Sequence, residues 1–452
     1  MTKSMHEPEA NNQLRDAIYK YASERMDMDP APLDGPKTKS ELENLAGNTM
    51  TEAGLGGLAA LELFEKTLAP ATISTDHPNF LSFIPAAPTE AATLFDLVVS
   101  ASSIYGGSWT EGAGAVFAEN QVLELLADEA GFPKGSGGVF VQGGTLGNLS
   151  ALVVARDVAK QKHGSQNWAV ICSSEAHSSI KAVANVMGID VFKADASAIG
   201  SLTGKAAEEA ISTAKEQGFF PFAIVGTGGT TNFGIIDQLS ELADVAKKHD
   251  LWFHVDGAYG LAGILVPEMK PKYSGLERAD SFIVDPHKWL FSPFDACALV
   301  YRNPALAKTA HMQHGEYLET LNQNDDWNPS DYAFNLTRRV RGLPLWFSLA
   351  THGVAAYRSA IKLNLDLTKQ IADEIRNRKN LKLVREPELS VVVFERIGWQ
   401  AKDYEEWSAN LLESQLAFVV PSSHLGKPNT RFAIVNPTTE FEDLEAILDT
   451  ME

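Results

Sequence analysis

Apolar and polar residues alternate along the chain in blocks that predict strands and helices in turn from about residue 116 onward. Short apolar runs typical of buried strands occupy residues 137–142, 168–173, 222–227, 252–256, 281–285 and 297–302. Amphipathic segments of helical length lie between them, for example at 203–217 and 237–248. Strands that alternate with helices predict an α/β domain whose largely parallel sheet is covered on both faces.

Other patterns flank this α/β region at both ends of the chain. Residues 12–27 and 39–68 are predicted to form helices, with a proline-rich break between them at 29–36. After residue 350 a long helical stretch precedes shorter strands and helices. These patterns predict an N-terminal helical arm and a C-terminal α+β region of about 100 residues.

Length, composition and charge narrow the class of protein. The chain has 452 residues, of which 44% are hydrophobic and 21% charged, as expected for a folded protein with a large core. Its formal net charge of −20 repels phosphate backbones and anionic lipid, so we expect neither nucleic acid nor a membrane as partner. The one dense basic cluster, Arg338, Arg339 and Arg341, is interpreted as a solvated helix face or an intersubunit ion-pair site.

The two cysteines and the first residues indicate a cytoplasmic protein. Cys172 and Cys297 lie far apart without CxxC spacing, which predicts neither a disulfide framework nor a zinc site. The first residues contain no apolar segment of the kind that directs export, and no long uncharged apolar stretch follows. We therefore expect a cytoplasmic location and no metal.

Two turns that follow predicted strands could bind a phosphate, because ligands of open α/β sheets lie beyond the carboxyl ends of the strands. The first strand is followed by Gly143, Gly144 and Thr145 at the start of a helix, whose free N–H groups attract anions. A second Gly/Thr turn, containing Thr230, follows residues 222–227. A tight structural turn would account equally well for either segment alone.

Three other strand ends carry side chains suited to catalysis. Asp256 ends an apolar strand, where a buried carboxylate requires a cationic or N–H partner. Lys288 follows another, and an amine desolvated there has a lowered pKa and can form a Schiff base. His177 enters a helix, although a structural histidine is also common at such a position. Together with a phosphate cradle, these three residues fit pyridoxal 5′-phosphate.

Five segments of the chain resemble a known enzyme family, the group II pyridoxal-phosphate decarboxylases, and among them the aromatic-L-amino-acid decarboxylases most. They are HVDGAYG (254–260), DSFIVDPHKWL (280–290), EAHSSI (175–180), HPNFLSFIP (77–85) and RFAI (431–434). The resemblance implies a homodimer of fold type I with a mostly parallel seven-stranded sheet. The domains that it implies are a helical arm embracing the partner at 1–89, a large cofactor domain at 90–354 and a small α+β domain at 355–452.

The same resemblance implies roles for individual residues. Lys288 would carry the cofactor, Asp256 would face the ring nitrogen, and Ala258 and His177 would contact the two ring faces. The phosphate would be lined by Gly144, Thr145, Thr230 and His287. The substrate pocket would be lined by Phe83 and Pro85, with residues near Tyr105 from the other subunit.

The reaction implied is decarboxylation of an L-amino acid, aromatic in the first place, to an amine and CO₂ through a Lys288 Schiff base and a quinonoid intermediate. The polar segment 314–334 resembles the mobile gate that carries a proton-donating tyrosine in this family. Tyr332 is the candidate donor and Tyr317 the alternative. The predicted catalytic residues are therefore Lys288, His177 and Tyr332.

Three departures from the animal enzymes leave other readings open. Ala86 and Gly107 stand where those enzymes have a threonine and a phenylalanine, which puts catechol recognition in doubt. Asp285 replaces an asparagine and adds like charge near the phosphate, unless it is hydrogen-bonded or turned away. The alternatives are a decarboxylase of an acidic or diamino acid, an aromatic aldehyde synthase, and a catalytically inactive dimeric scaffold.

Overall fold

A computed structural model describes residues 12–85, 87–196, 200–313 and 326–452. The helices are α1 (Gln13–Met26), α2 (Lys39–Ala46), α3 (Gly57–Leu63), α4 (Glu90–Ala101), α5 (Trp109–Glu129), α6 (Gly144–His163), α7 (Ser179–Met187), α8 (Gly204–Glu216), α9 (Leu239–His249), α10 (Pro304–His311), α11 (Leu343–His352), α12 (Val354–Asn377), α13 (Ala401–Glu413) and α14 (Phe441–Asp449). The strands are β1 (Gly137–Val141), β2 (Trp168–Ser173), β3 (Asp190–Ala194), β4 (Phe220–Thr227), β5 (Trp252–Asp256), β6 (Ser281–Val284), β7 (Cys297–Tyr301), β8 (Leu381–Leu383), β9 (Val391–Arg396), β10 (Pro421–His424) and β11 (Lys427–Ala433).

The chain packs as two compact units. One contains the described residues through Ser82 together with Arg396–Arg431 and Thr438–Glu452, and the other contains Phe83–Glu395 and Phe432–Pro437. In the first unit the Phe80 and Phe418 rings pack with centroids 4.9 Å apart, and strands β10 and β11 form an antiparallel hairpin. The division into a helical arm, a large domain and a small domain stays a prediction.

The second unit is built on a seven-stranded sheet with the strand order β1-β7-β6-β5-β4-β2-β3. Neighbouring strands from β3 to β6 are parallel, whereas β7 runs antiparallel to both β6 and β1. The mostly parallel seven-stranded sheet expected for fold type I is thus confirmed. Because β7 is reversed between them, β1 and β6 point the same way, and their carboxyl ends lie at the same edge of the sheet.

Apolar side chains cover both faces of this sheet, as continuous apolar strands predict. Along β4, Ile224 belongs to one buried apolar cluster and Val225 to another, since successive side chains of a strand point to opposite faces. Strand β7 alternates in the same way, with Val300 in the first cluster and Leu299 in the second. No helix in the described ranges is both long enough and apolar enough to cross a membrane.

The predicted helix at 39–68 is interrupted in the structure. Helix α2 begins with a capping box formed by Thr38 and Glu41 and ends at Ala46. The following Gly47 has φ 64°, a left-handed conformation that glycine adopts readily and that stops a helix. The chain becomes helical again only in α3.

The basic cluster before α11 is not the solvated helix face that the sequence analysis predicted. Arg338 is 7% exposed, and its guanidinium donates to both carboxylate oxygens of Glu119 at 3.0 and 2.8 Å. Glu119 is 2% exposed and also accepts a hydrogen bond from the Gly342 N–H at 2.8 Å. Arg339 does lie at the surface, where it pairs with Asp96. The interpretation was wrong for Arg338 because its partner is distant in sequence.

Candidate active site

The predicted site residues follow the carboxyl ends of five strands of the sheet. Gly144 follows β1, His177 follows β2 and Thr230 follows β4, while Asp256 ends β5 and Lys288 lies four residues beyond β6. Parallel pairing places these ends at one edge, and the register sets Thr227 of β4 directly opposite Asp256. The sheet therefore gathers residues from distant parts of the sequence, as expected for a ligand site of an α/β fold.

Lys288 forms an ion pair within its own turn, in which the lysine side chain is 25% exposed and the Asp285 side chain 2% exposed. Its Nζ lies 2.9 Å from Oδ2 of Asp285, and the Lys288 backbone N–H donates to the Asp285 carbonyl at 3.0 Å. Burial has the largest single effect and lowers the pKa of Lys288, but the charge and hydrogen bond of Asp285, together with the more distant Asp256 carboxylate, make the net shift upward. The expected lowering of this pKa by desolvation was therefore wrong, because the amine has a carboxylate partner.

Asp285 is not the uncompensated like charge that its position suggested. It is 2% exposed, and one of its oxygens pairs with Lys288. Its second oxygen, Oδ1, is buried and has no hydrogen-bond partner within the described ranges. Buried carboxylate oxygens normally accept hydrogen bonds, so the Oδ1 atom is an unusual feature of this turn.

The start of α6 forms an open cradle next to this ion pair. Gly143 enters the helix with φ 140°, which L side chains rarely adopt. A Cβ atom on Gly144 would lie 3.1 Å from Asp285 Oδ2 and 3.3 Å from the Ala258 Cβ, so a side chain there would fill the space. Thr145 follows as an exposed residue in the first turn. The cradle and the positive end of this 20-residue helix fit a bound phosphate.

Two of the residues expected at the phosphate are engaged in local turns. Thr230 is fully buried, and its Oγ1 accepts a hydrogen bond from the Ile235 N–H at 3.2 Å. His287 is 9% exposed, and its Nδ1 lies 2.7 Å from the Ala296 carbonyl oxygen. Burial lowers the pKa of His287, which favours the neutral ring. Their contacts with a phosphate stay predictions.

Asp256 is fixed from two sides. Its Oδ2 accepts from the Asn148 side-chain amide at 2.9 Å, and its Oδ1 accepts from the Ala258 N–H at 3.2 Å. Asp256 is 6% exposed. A carboxylate has about four lone-pair positions, so Asp256 can accept a further N–H from a ring nitrogen.

His177 is exposed, and its ring is held by the turn that precedes α7. Its Nδ1 accepts from the Ser179 N–H at 3.2 Å, and Ser179 Oγ accepts from Asn148 Nδ2 at 3.0 Å. Asn148 thus joins the His177 turn to Asp256. The sequence analysis gave no role to Asn148, although a polar amide in the apolar first turns of α6 was a visible signal.

The residues expected at the substrate differ in accessibility. Phe83 is 60% exposed, and Pro85 is buried. Tyr105 is half-buried, and its hydroxyl donates to the Leu336 carbonyl at 3.0 Å. A side chain at Gly107 would collide with the Tyr105 ring, so glycine there leaves space for the tyrosine. Ala86 lies outside the described residues.

Tyr332 is packed in the interior of its unit. It is 4% exposed, and its ring stacks on Trp327 with centroids 4.2 Å apart. Its carbonyl accepts a hydrogen bond from the Tyr301 hydroxyl at 3.1 Å. That segment 314–334 forms a mobile gate stays a prediction. Tyr317, the alternative donor, lies outside the described residues.

Comparisons with known proteins identify the family of this chain and its fold. The pyridoxal-dependent decarboxylase conserved domain matches residues 45–397. An aromatic-L-amino-acid decarboxylase of Bacillus atrophaeus is 32% identical over 362 residues, which cover 79% of this chain and 75% of that protein. A phenylacetaldehyde synthase of a Rosa hybrid cultivar is 29% identical, with 72% and 68% of the two chains covered. The crystal structure of Oryza sativa TDC with PLP and tryptamine superposes with a TM-score of 0.92 at 24% identity, covering 99% of both chains.

Proposed function

Because this chain belongs to the pyridoxal-dependent decarboxylase family, we propose that it converts an aromatic L-amino acid into the corresponding amine and CO₂. Family membership establishes an amino-acid decarboxylase that uses pyridoxal phosphate. The aromatic substrate class is the proposal. The observation that carries the site assignment is the Lys288–Asp285 ion pair, whose turn follows β6, the strand that pairs with β5 and its carboxylate Asp256.

We propose a separate role for each residue of the site. When bound, pyridoxal phosphate supplies an acceptor for the electron pair that remains at Cα after CO₂ leaves. Lys288 would hold the cofactor covalently, and its ammonium must first give up a proton, for which Asp285 Oδ2 at 2.9 Å is the adjacent acceptor. Asp256 would keep a proton on the ring nitrogen. The first turn of α6 would hold the phosphate, and the exposed His177 would cover one face of the ring.

The aromatic substrate class is supported by accessible aromatic side chains among the predicted substrate-binding residues and by a relative. Phe83 exposes an aromatic ring and Tyr105 and Trp109 are half-buried, so apolar surface is available to an aromatic side chain. The Bacillus atrophaeus relative is named for aromatic L-amino acids. The Rosa relative is named for an aldehyde product, so aldehyde synthesis is the second candidate function.

A substrate screen tests the proposed function. Purified holoenzyme is given each of the twenty amino acids, dopa and 5-hydroxytryptophan, and CO₂, amine, aldehyde and ammonia are measured in parallel. We expect CO₂ and amine in equal amounts from tryptophan, tyrosine, phenylalanine or dopa. Turnover restricted to acidic or diamino acids would overturn the substrate class but not the reaction. Aldehyde and ammonia in place of amine would favour the second candidate.

The proton that completes the amine is proposed to come from Tyr332. Because its ring is stacked on Trp327, donation requires the ring to leave that position. In air-saturated buffer, we expect Tyr332→Phe, which preserves the packing of the ring, to shift product from amine toward aldehyde and ammonia, with dissolved dioxygen as the two-electron oxidant that is reduced to hydrogen peroxide. Tyr317→Phe is the matched variant. An unchanged amine yield in Tyr332→Phe, with diversion in Tyr317→Phe, would transfer the role to Tyr317.

Assembly and location are further proposals. We propose a homodimer, supported by exposed apolar residues of the first unit, Tyr19 at 54%, Met50 at 84% and Leu58 at 48%, which a second subunit could cover. The predicted arm at 1–89 would make this contact. A cytoplasmic location is supported by Cys172 and Cys297, which are both free and buried.

A further inference from the structure

We propose that a buried chain of hydrogen bonds, here called the relay, holds the carboxylate of Asp256 in position. The members of the relay are Asn148, His254, Ser281 and Trp252. They are positioning residues, because they contact Asp256 or one another and not the reacting atoms. The inference rests on the proposed role of Asp256 toward the ring nitrogen of the cofactor.

The relay is continuous at hydrogen-bond distance. Asn148 Nδ2 lies 2.9 Å from Asp256 Oδ2, and Asn148 Oδ1 lies 2.9 Å from His254 Nε2. His254 Nδ1 lies 2.8 Å from Ser281 Oγ, which also accepts from the Trp252 Nε1–H at 2.8 Å. The inner members are inaccessible to solvent, with exposures of 1% for Asn148 and 0% for His254 and Ser281.

The chemistry of the Asp256 end fixes the direction of the bonds that Asn148 makes. A carboxylate only accepts, so the NH₂ group of Asn148 faces Asp256 and its carbonyl oxygen faces His254. That oxygen also only accepts, so His254 Nε2 carries a proton. At the far end the Trp252 indole donates to Ser281 Oγ, and the Ser281 hydroxyl can donate to His254 Nδ1 when that nitrogen carries no proton. With His254 neutral, each proton of the relay is directed toward Asp256.

This direction specifies one state of His254, the neutral ring with its proton on Nε2. Burial lowers the pKa of His254 well below its usual value, more strongly than the Asp256 carboxylate raises it. A doubly protonated ring would place a second donor against the Ser281 hydroxyl. The neutral Nε2–H form instead satisfies both ring nitrogens.

Asn148 connects the relay to the rest of the site. The two protons of its amide reach Asp256 Oδ2 and Ser179 Oγ, so one side chain sets the carboxylate and the turn that carries His177. Its carbonyl oxygen is taken by His254. Removing this amide takes a hydrogen-bond partner from three buried groups, Asp256 and His254 in β5 and Ser179 in α7, whereas removing an apolar packing residue would take none.

Measuring the affinity for the cofactor distinguishes a role of the relay in positioning Asp256 from a role in packing alone. Apoenzyme prepared from the full chain is titrated with pyridoxal phosphate, and binding is followed by absorbance and fluorescence. We expect Asn148→Ala to weaken binding by about 10-fold or more, because Asp256 loses the donor that orients it. His254→Gln, which can still donate to Asn148, should stay closer to the parent protein than His254→Leu. Asn79→Ala, which removes a buried amide of the other unit, is the control for lost stability.

Nuclear magnetic resonance of the histidine ring nitrogens reports the protonation state of His254, which a role in packing alone would not specify. In holoenzyme labelled with ¹⁵N-histidine, His254 is assigned by its loss in His254→Gln. We expect a neutral ring protonated on Nε2 from pH 6 to 8. A ring protonated on Nδ1, or one that gains a proton near pH 6.5, would overturn the relay.

The same titration distinguishes failure of the relay from failure of the proposed function. If Asp256→Asn weakens cofactor binding but Asn148→Ala only lowers stability, as Asn79→Ala does, the relay is wrong and the site stands. If Asp256→Asn has no effect on cofactor binding, the role of Asp256 itself is wrong.

Discussion

Replacing Lys288 by arginine should abolish decarboxylation and leave the protein folded. Arginine keeps a cation near Asp285, so the buried carboxylate is not left without a partner. A guanidinium remains protonated and cannot act as the nucleophilic amine. We expect turnover to fall on the order of 10³-fold or more. Lys288→Ala should lose as much activity. It should also lose stability, because the buried Asp285 carboxylate is left without its cationic partner.

Turnover and covalent attachment measure this result together. Borohydride reduction of the parent holoenzyme, followed by digestion and mass spectrometry, should place the cofactor on the peptide that contains Lys288. Neither variant should give that adduct. Lys270→Arg is the control, since Lys270 pairs with Glu129 at 2.6 Å and is 46% exposed. An adduct on another lysine, or an active Lys288→Arg enzyme, would contradict the assignment.

Replacing Arg338 by methionine should produce the largest loss of stability. The substitution leaves Glu119, which is 2% exposed, without the cation that accompanies it in the interior. Breaking a buried pair in this way costs about 3–5 kcal/mol. Urea denaturation measures the loss. Arg339→Met is the matched control, because Arg339 is 40% exposed in its pair with Asp96 and should contribute less than about 1 kcal/mol.

The loss should depend on pH in a defined direction. Burial raises the pKa of Glu119, and Arg338 counteracts that rise, so removing Arg338 raises this pKa further. A carboxyl whose pKa is higher in the folded than in the unfolded state loses stability as pH rises. The variant should therefore be more destabilised at pH 8 than at pH 5.5. Glu119→Gln/Arg338→Met, which keeps an acceptor for the Gly342 N–H, should recover most of the loss. Equal destabilisation by Arg338→Met and Arg339→Met would refute the buried pair.

The strands of the sheet could be predicted from the sequence because burial on both faces leaves continuous apolar runs. The predicted spans 168–173 and 252–256 coincide with β2 and β5. The prediction of a continuous helix at 39–68 was wrong because Gly47, Gly54 and Gly56 adopt positive φ values. The helical pattern of the surrounding residues gave no sign of these backbone conformations.

The chemistry of the site was predictable only where a residue stands out locally. Asp256 ends an apolar strand and Lys288 shortly follows one, so each could be recognised from the sequence as a charged residue in an apolar setting. Asn148 and His254 are 106 positions apart, and Arg338 and Glu119 are 219 apart, so no local pattern could pair them. The raised pKa of Lys288 likewise depends on the turn that brings Asp285 to its amine, and only the geometry establishes it.

The reversed strand β7 also has a consequence for how the protein is made on the ribosome. β1 pairs with β7, which is synthesised roughly 150 residues later. At about 5–20 residues per second, β1 emerges about 8–30 s before the strand that receives it. During that interval the nascent chain can assemble β2 to β6 but cannot complete the cradle for the vitamin-derived cofactor. The seven-stranded sheet therefore cannot be complete until Tyr301 has left the exit tunnel.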